Sequence, residues 1–183
     1  MDIALILISL NVVAFVIPYI FDFSKFPYSS HDGFLQMGWK DNEAIKDGEW
    51  YRLLTSNFLH ADFWHLLFNM YAIFNISPAV SSIFRPWGFL LIYVASGISG
   101  SLFSFFFNSN PSVGASGAIF GLVGALVSYA IIAQDFSLLS QLILIVAINV
   151  AYGFMSTQID NFGHLGGFIA GLVIGFGLLL YAF

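Results

Sequence analysis

Long apolar runs separated by short polar clusters set the plan of the chain. Six of them, at about 3–21, 63–83, 87–107, 116–133, 136–155 and 163–182, approach the roughly 20 mostly apolar residues that a helix needs to cross a bilayer. No basic residue precedes the first run and no small-x-small cleavage site follows it before Pro18, so it is expected to be a retained helix and not a cleaved leader. The tract from Pro86 to Gln134 has no charge and no histidine and is too long for a single crossing. The turn-forming cluster Asn108-Ser109-Asn110-Pro111-Ser112 divides it. One connection is long: Asp22 to about Asp62 carries four of the five basic residues and seven acidic ones, interleaved with Phe34, Trp39 and Trp50, which predicts a small folded loop at the membrane interface. All other connections are short, so consecutive helices should be antiparallel neighbours in one domain, 1–183, an all-α integral membrane bundle of six transmembrane helices.

Composition agrees. The chain is 59% hydrophobic, 19% aromatic and 8% charged, with a mean hydropathy of +0.89, against about 25% charged residues in an ordinary soluble domain. A net charge of -5 with five basic residues argues against nucleic acid as a partner. The absence of cysteine excludes disulfides, thiolate catalysis and cysteine-based metal sites. Charge gives a weaker lead on orientation. A count of Lys and Arg would put Lys25, Lys40, Lys46 and Arg52 inside and Arg85 outside, but the loop that carries them is long and acidic residues outnumber them.

Polar residues inside apolar runs are costly and direct attention to function. His65 and Asn69, at i and i+4 in the second run, share a helix face; they suit either an interhelical hydrogen-bonding pair or a site. Ser116, in Gly114-Ala115-Ser116-Gly117, follows the helix-start chemistry of Asn110-Pro111, so it should lie near a helix N-terminus, where free N–H groups and the dipole favour an anion. The 18 steps from Ser116 to Gln134 span about 27 Å at 1.5 Å per residue, which puts the serine near one membrane surface. Gly117, Gly121, Ala125 and Ser128 also form a small-residue stripe suited to close helix packing. His164, Gly167, Gly171 and Gly175 share one face of the sixth run. Because spans alternate in direction, the fourth and sixth run parallel, and parity brings Ser116, His164, His65 and Asn69 to the same membrane face. Those are the parts of a nucleophilic acyl-transfer site: Ser116 as nucleophile, His164 as base and then acid, and His65, Asn69 and the Ser116 backbone as oxyanion donors. No carboxylate completes a triad. Asp160, one turn before His164, is expected to be a loop or helix-start residue.

In their order and placement these motifs resemble the rhomboid intramembrane serine proteases of the minimal six-helix prokaryotic type. The resemblance rests on Glu49-Trp50-Tyr51-Arg52, His65-x-x-x-Asn69, Gly114-Ala115-Ser116-Gly117, and Gly163-His164 with the Gly167/Gly171 stripe. It implies a rhomboid-like bundle with a Ser116–His164 dyad, oxyanion donors at His65, Asn69 and the Ser116 backbone, and a structural loop held by Trp50 and Arg52 in the outer leaflet. It also implies His60 and Asn161 near a water-filled site, Gly114 and Gly117 shaping it, transmembrane protein substrates within the lipid bilayer, and no cofactor or metal. Location follows in the same way: a prokaryotic plasma (inner) membrane, with cytoplasmic termini, Arg85 in a cytoplasmic turn and an active site that opens outward. One position departs from the family: a tyrosine is often found four residues after the nucleophile, where this chain has Phe120, which can stack on the histidine but offers no phenol. Phe154-Met155-Ser156-Thr157-Gln158-Ile159 suggests a cap over the site with Phe154 and Met155 as plugs, or an ordinary interhelical loop. Two other classes remain open: a catalytically inactive rhomboid-like protein that binds client helices, and a transporter or channel, which would need a polar path across the whole bilayer.

Overall fold

The computed structural model of the protein describes residues 3–20, 31–155 and 159–181. Among the described residues eight α-helices follow in order: α1 (Ile3–Ile20), α2 (His31–Gln36), α3 (Asn42–Lys46), α4 (Arg52–Thr55), α5 (Phe63–Phe107), α6 (Ser116–Ile132), α7 (Phe136–Met155) and α8 (Asn161–Tyr181), with a 3-10 turn at Ser56–Phe58 after α4. Among the described residues the only β-type pairing is an isolated antiparallel bridge between Lys40 and Ser112. Helices α1, α5, α7 and α8 are long and apolar enough to cross a membrane, and α6 is an apolar helix of 17 residues.

Helix α5 has 45 residues, which at about 1.5 Å each would reach about 68 Å, more than twice the thickness of a hydrocarbon core. It does not run straight. Arg85 leaves helical geometry (φ 62°, ψ 165°) next to Pro86, whose ring disfavours the α region for the residue before it. The ends of the two arms show the reversal. His65 and Gly100 would be about 52 Å apart along a straight helix, yet His65 packs on Gly114 and Gly100 on Gly117. The chain therefore folds back at Arg85, dividing α5 into the two runs expected at 63–83 and 87–107.

Burial orders the bundle. Helix α6 is apolar all round and almost entirely buried, packed chiefly against α8 and the second arm of α5. Helix α7 buries only Leu142 and Gly153 and turns Ile143, Leu144, Ile145 and Ile148 outward, a surface suited to lipid. This is an integral membrane protein. The α6–α8 seam is made by backbones: a methyl added at Gly167 would run into the Gly117 carbonyl, and one at Gly171 into the Gly121 carbonyl. Glycine's missing Cβ is what lets these two helices approach so closely.

The long loop is folded around Arg52, which is 7% exposed. Its Nε donates to Glu49 Oε2 (2.7 Å), and its Nη1 donates to the carbonyls of Gln36 (2.7 Å) and Trp39 (3.1 Å). Tyr51 and Arg52 both bond the Glu49 carboxylate and hold it below the usual carboxylate range. Trp50 stays 57% exposed, with a tilted contact to Phe105.

Candidate active site

Ser116 is the first residue of α6, and the chain reaches it through Gly114, whose φ of 123° is in the region that favours glycine. The Gly114 N–H donates to the Ser56 carbonyl (2.9 Å), which ties the approach to the 3-10 turn. A Cβ at Gly114 would stand 2.6 Å from His65 Nε2, so only glycine lets that imidazole lie against the backbone. No side chain caps the α6 N-terminus, and its first N–H groups stay available.

His164 is the fourth residue of α8. Its position is fixed by Asp160, which accepts from the Gly163 N–H at Oδ1 (3.0 Å) and from the His164 N–H at its backbone carbonyl (3.0 Å). From there His164 Nε2 lies 2.8 Å from Ser116 Oγ, a contact between residues 48 apart in sequence. The hydroxyl donates to Nε2 when the imidazole carries its proton on Nδ1. Phe120, one turn into α6, stacks on the ring at 4.3 Å between centroids and 10° between planes. Parallel helices make this meeting possible, since both residues stand at N-terminal ends that the glycine seam holds together.

The pair opens on a small cleft of about 30 Å³ lined also by Ser56, Asn57, Ser101 and Asp160. Its wall is a hydroxyl and amide cluster: Ser56 Oγ and Asn57 Nδ2 each lie 3.2 Å from Ser101 Oγ. Asp160 Oδ1 accepts from Asn108 Nδ2 (3.1 Å) and from the Gly163 N–H, and the side chain makes no bond to the imidazole. Burial pushes its carboxyl up, but hydrogen bonds from Ser104, the Gly163 backbone, Asn108 and Ser112 outweigh this and hold it below the ordinary aspartate range.

The other expected residues are placed less directly. His65, half-buried, has its N–H capped by Asp62 (2.9 Å) and its ring 5.0 Å from that of His60 in an edge-to-face arrangement. His60 is fully buried; burial and then the neighbouring His65 pull its imidazole down to about 3, so it stays neutral. Asn69 is buried and donates one amide hydrogen to the His65 carbonyl of its own helix (2.9 Å). Neither His65, Asn69 nor His60 lines the cleft. Asn161 begins α8 and lies against Gly153 of α7, away from the cleft. Phe154 and Met155, expected as plugs, are 81% and 85% exposed and line no part of the cleft; residues 156–158 of the expected cap lie outside the described residues. The reason is that α7 packs loosely and its last turn meets α8 through Gly153, on the Asn161 side chain, which leaves Phe154 and Met155 facing outward. Sequence reasoning missed Lys40, Asn108 and the Ser56/Asn57/Ser101 cluster. Lys40 looked like one more loop charge, and the cluster's residues share no helix period. Among the described residues no group of three or more His, Asp or Glu side chains is arranged to hold a metal ion.

Comparison with known proteins bears on the whole arrangement. The Rhomboid domain family model matches residues 47–181. "Rhomboid protease GluP" of Bacillus subtilis (strain 168) is 46% identical over 137 residues, 73% of this chain and 27% of that protein. "RHOMBOID-like protein 1" of Arabidopsis thaliana is 44% identical over 146 residues, 75% of this chain and 36% of its own length. "Putative rhomboid protease YdcA" of Bacillus subtilis (strain 168) is 37% identical over 152 residues, 75% of this chain and 74% of that protein. The chain thus spans about a quarter to a third of the first two relatives and most of the third. With the domain matched across 47–181 and these relatives sharing 37% to 46% of aligned positions, the chain belongs to the rhomboid family.

Proposed function

We propose that the chain is an intramembrane serine endopeptidase that hydrolyses peptide bonds in or beside the transmembrane segments of membrane proteins. The observation that carries this reading is the 2.8 Å contact of Ser116 Oγ with His164 Nε2 at the paired N-termini of α6 and α8. Names of bacterial relatives as rhomboid proteases add to it.

The chemistry follows from the residues. Ser116 Oγ attacks the scissile carbonyl carbon while His164 Nε2 takes its proton. The carbonyl oxygen becomes an oxyanion, for which the donors are the Ser116 N–H at the head of α6, the His65 imidazole and the second amide hydrogen of Asn69. Collapse breaks the C–N bond, His164 protonates the departing amine, and an ester to Ser116 remains. Water then attacks that ester with His164 again as base, releasing the acid and restoring the hydroxyl. The polar cleft of Ser56, Asn57 and Ser101 is where such a water is expected to wait. Phe120 holds the imidazole face without contributing a polar group.

In this reading the chain crosses the membrane six times, α5 twice through its break at Arg85, with α6 the shortest crossing. The termini face the cytoplasm, the site opens to the outer face of a prokaryotic plasma membrane, and Trp50 and Arg52 keep the long loop at the outer leaflet. The position of Ser116 at the head of α6, among apolar helices, confines substrates to segments already in the bilayer.

A fluorophosphonate should label the intact chain in membranes and fail to label Ser116→Ala; labelling that persists in the variant overturns the assignment. The alternative, an inactive rhomboid-like protein that binds client helices, is favoured by the relatives named RHOMBOID-like without the word protease. Cleavage of a transmembrane peptide with an unstable helix excludes it.

A further inference from the structure

A buried lysine lies behind the site. Lys40 in the long loop is 0% exposed, and its ammonium spends all three N–H bonds on oxygens: the carbonyls of Asn108 (2.8 Å) and Asn110 (2.7 Å) and the side chain of Asn42 (3.0 Å). Its main chain is paired in both directions with Ser112, at 2.9 and 3.1 Å. Asn42 reinforces the hold by donating Nδ2 to the Phe105 (3.0 Å) and Asn108 (3.2 Å) carbonyls. Apart from Asn42, everything that Lys40 grips belongs to the segment that runs from the end of α5 into Ser116.

Asn108 faces the other way as well. Its N–H ends α5 on the Ser104 carbonyl (2.8 Å), and its Nδ2 donates to Asp160 Oδ1 (3.1 Å). The same carboxylate oxygen caps α8 through the Gly163 N–H (3.0 Å), one residue before His164. Burial pulls the Lys40 ammonium below the usual lysine range, and the charges of Asp160 and Asp41 oppose that pull. A buried cation and a half-buried carboxylate thus meet at opposite ends of one asparagine. That asparagine joins the segment leading to the hydroxyl with the helix start leading to the imidazole.

We propose that Lys40, Asn108 and Asp160 form a positioning unit that sets the separation of Ser116 and His164, with Asn108 as the cross-link between the two backbones. The proposal rests on Ser116 and His164 being the catalytic pair. None of the three touches the reacting atoms, and Asp160 works through the backbone of α8, not as a third member bonded to the imidazole. The unit also makes the folded state of the long loop a condition of activity, because Lys40 reaches the site from that loop alone.

The test uses the full chain in proteoliposomes, a cleavable transmembrane peptide, and thermal unfolding to choose a temperature at which each variant is folded. Asn108→Ala cuts the cross-link without stranding a charge, and Asp160→Ala removes both the cross-link and the α8 cap. Each is expected to lower kcat by about 10- to 100-fold with KM nearly unchanged, because a misplacement of about 1 Å costs catalysis on that order. Asp160→Asn keeps an acceptor oxygen for Asn108 and Gly163 and is expected to recover most of the loss. Asn108→Ala combined with Asp160→Ala should fall little below the worse single variant, since both break one unit. A kcat within about twofold of the parent in Asn108→Ala and Asp160→Ala, or an Asp160→Asn as slow as Asp160→Ala, overturns the proposal. Fluorophosphonate labelling of the parent protein separates the two failures: an unlabelled parent defeats the catalytic reading itself, whereas a labelled parent with fast variants defeats only the positioning unit.

Discussion

Substituting Gly100 by alanine tests whether backbone contact sets the distance between Ser116 and His164. Gly100 lies in the second arm of α5, where an added methyl would stand 2.7 Å from the Gly163 carbonyl oxygen and 3.4 Å from Gly117 Cα. A carbon tolerates a carbonyl oxygen at about 3.3 Å, so the head of α8 must retreat by about 0.6 Å or the α5 arm must bow by as much. The next residue along α8 is His164. Carried with its backbone, the imidazole would move from 2.8 Å to about 3.4 Å from Ser116 Oγ, outside the normal range for this hydrogen bond. Gly100→Ala is therefore expected to lose about 10- to 100-fold in kcat. Two companions calibrate the result. Gly117→Ala meets the same Gly163 oxygen at 3.4 Å, an ordinary contact, and should lose less than about tenfold. Gly177→Ala, with nothing within 4 Å of the new methyl, should stay within about twofold and gain helix propensity. Single-turnover cleavage of a transmembrane peptide in proteoliposomes reads all three. Equal rates in Gly100→Ala and the parent, or equal damage from Gly177→Ala, would refute the geometric reasoning.

Asn69→Ala is expected to lower kcat by up to about 10²- to 10³-fold if its free amide hydrogen serves the oxyanion, and an unchanged rate removes it from that role. His60 supplies a pH test. Its folded value of about 3 is below the ordinary 6.5, so in between the unfolded chain binds a proton that the folded chain does not. Its contribution to stability is complete above about 6.5 and declines as pH falls, at up to about 1.4 kcal/mol per pH unit, or about 2 kcal/mol by pH 5. Thermal unfolding in detergent should show that decline in the parent and a shallower one in His60→Gln; parallel curves would contradict a buried neutral imidazole.

Apolar runs were enough to locate the long helices. The run at 136–155 corresponds to α7 at Phe136–Met155, and that at 116–133 to α6 at Ser116–Ile132. Helix α8 starts two residues earlier than its run at 163, because Asp160 caps it and polar Asn161 can then open the helix. The site was legible as far as parity carries: two parallel helices with polar residues at the same end. Its supports were not. Lys40 has the sequence signature of a solvated loop charge, and its burial depends on carbonyls about 70 residues away that no local pattern reveals. Asn69 and His65 share a face as the i, i+4 spacing requires, but spacing says nothing of the Asn69 amide turning back to the His65 carbonyl. The short helices α2, α3 and α4 have no period long enough to detect; they are held by Arg52 and by the Asp41 cap of α3. Phe154 and Met155 were expected to plug the site because they are apolar beside a loop, which in a bilayer is equally the mark of a residue facing lipid.

The α6–α8 seam has a genetic consequence. Where a glycine faces a side chain, as at Gly97, where an added methyl would stand 2.7 Å from Asn57 Oδ1, a damaging alanine can be suppressed by shrinking the neighbour. Gly167 and Gly171 face the carbonyl oxygens of Gly117 and Gly121, which are the same atoms whatever residue stands there. No substitution at those partners makes room for a methyl. A screen for second-site revertants should therefore find suppressors of Gly97→Ala at Asn57 and none of Gly167→Ala or Gly171→Ala at Gly117 or Gly121.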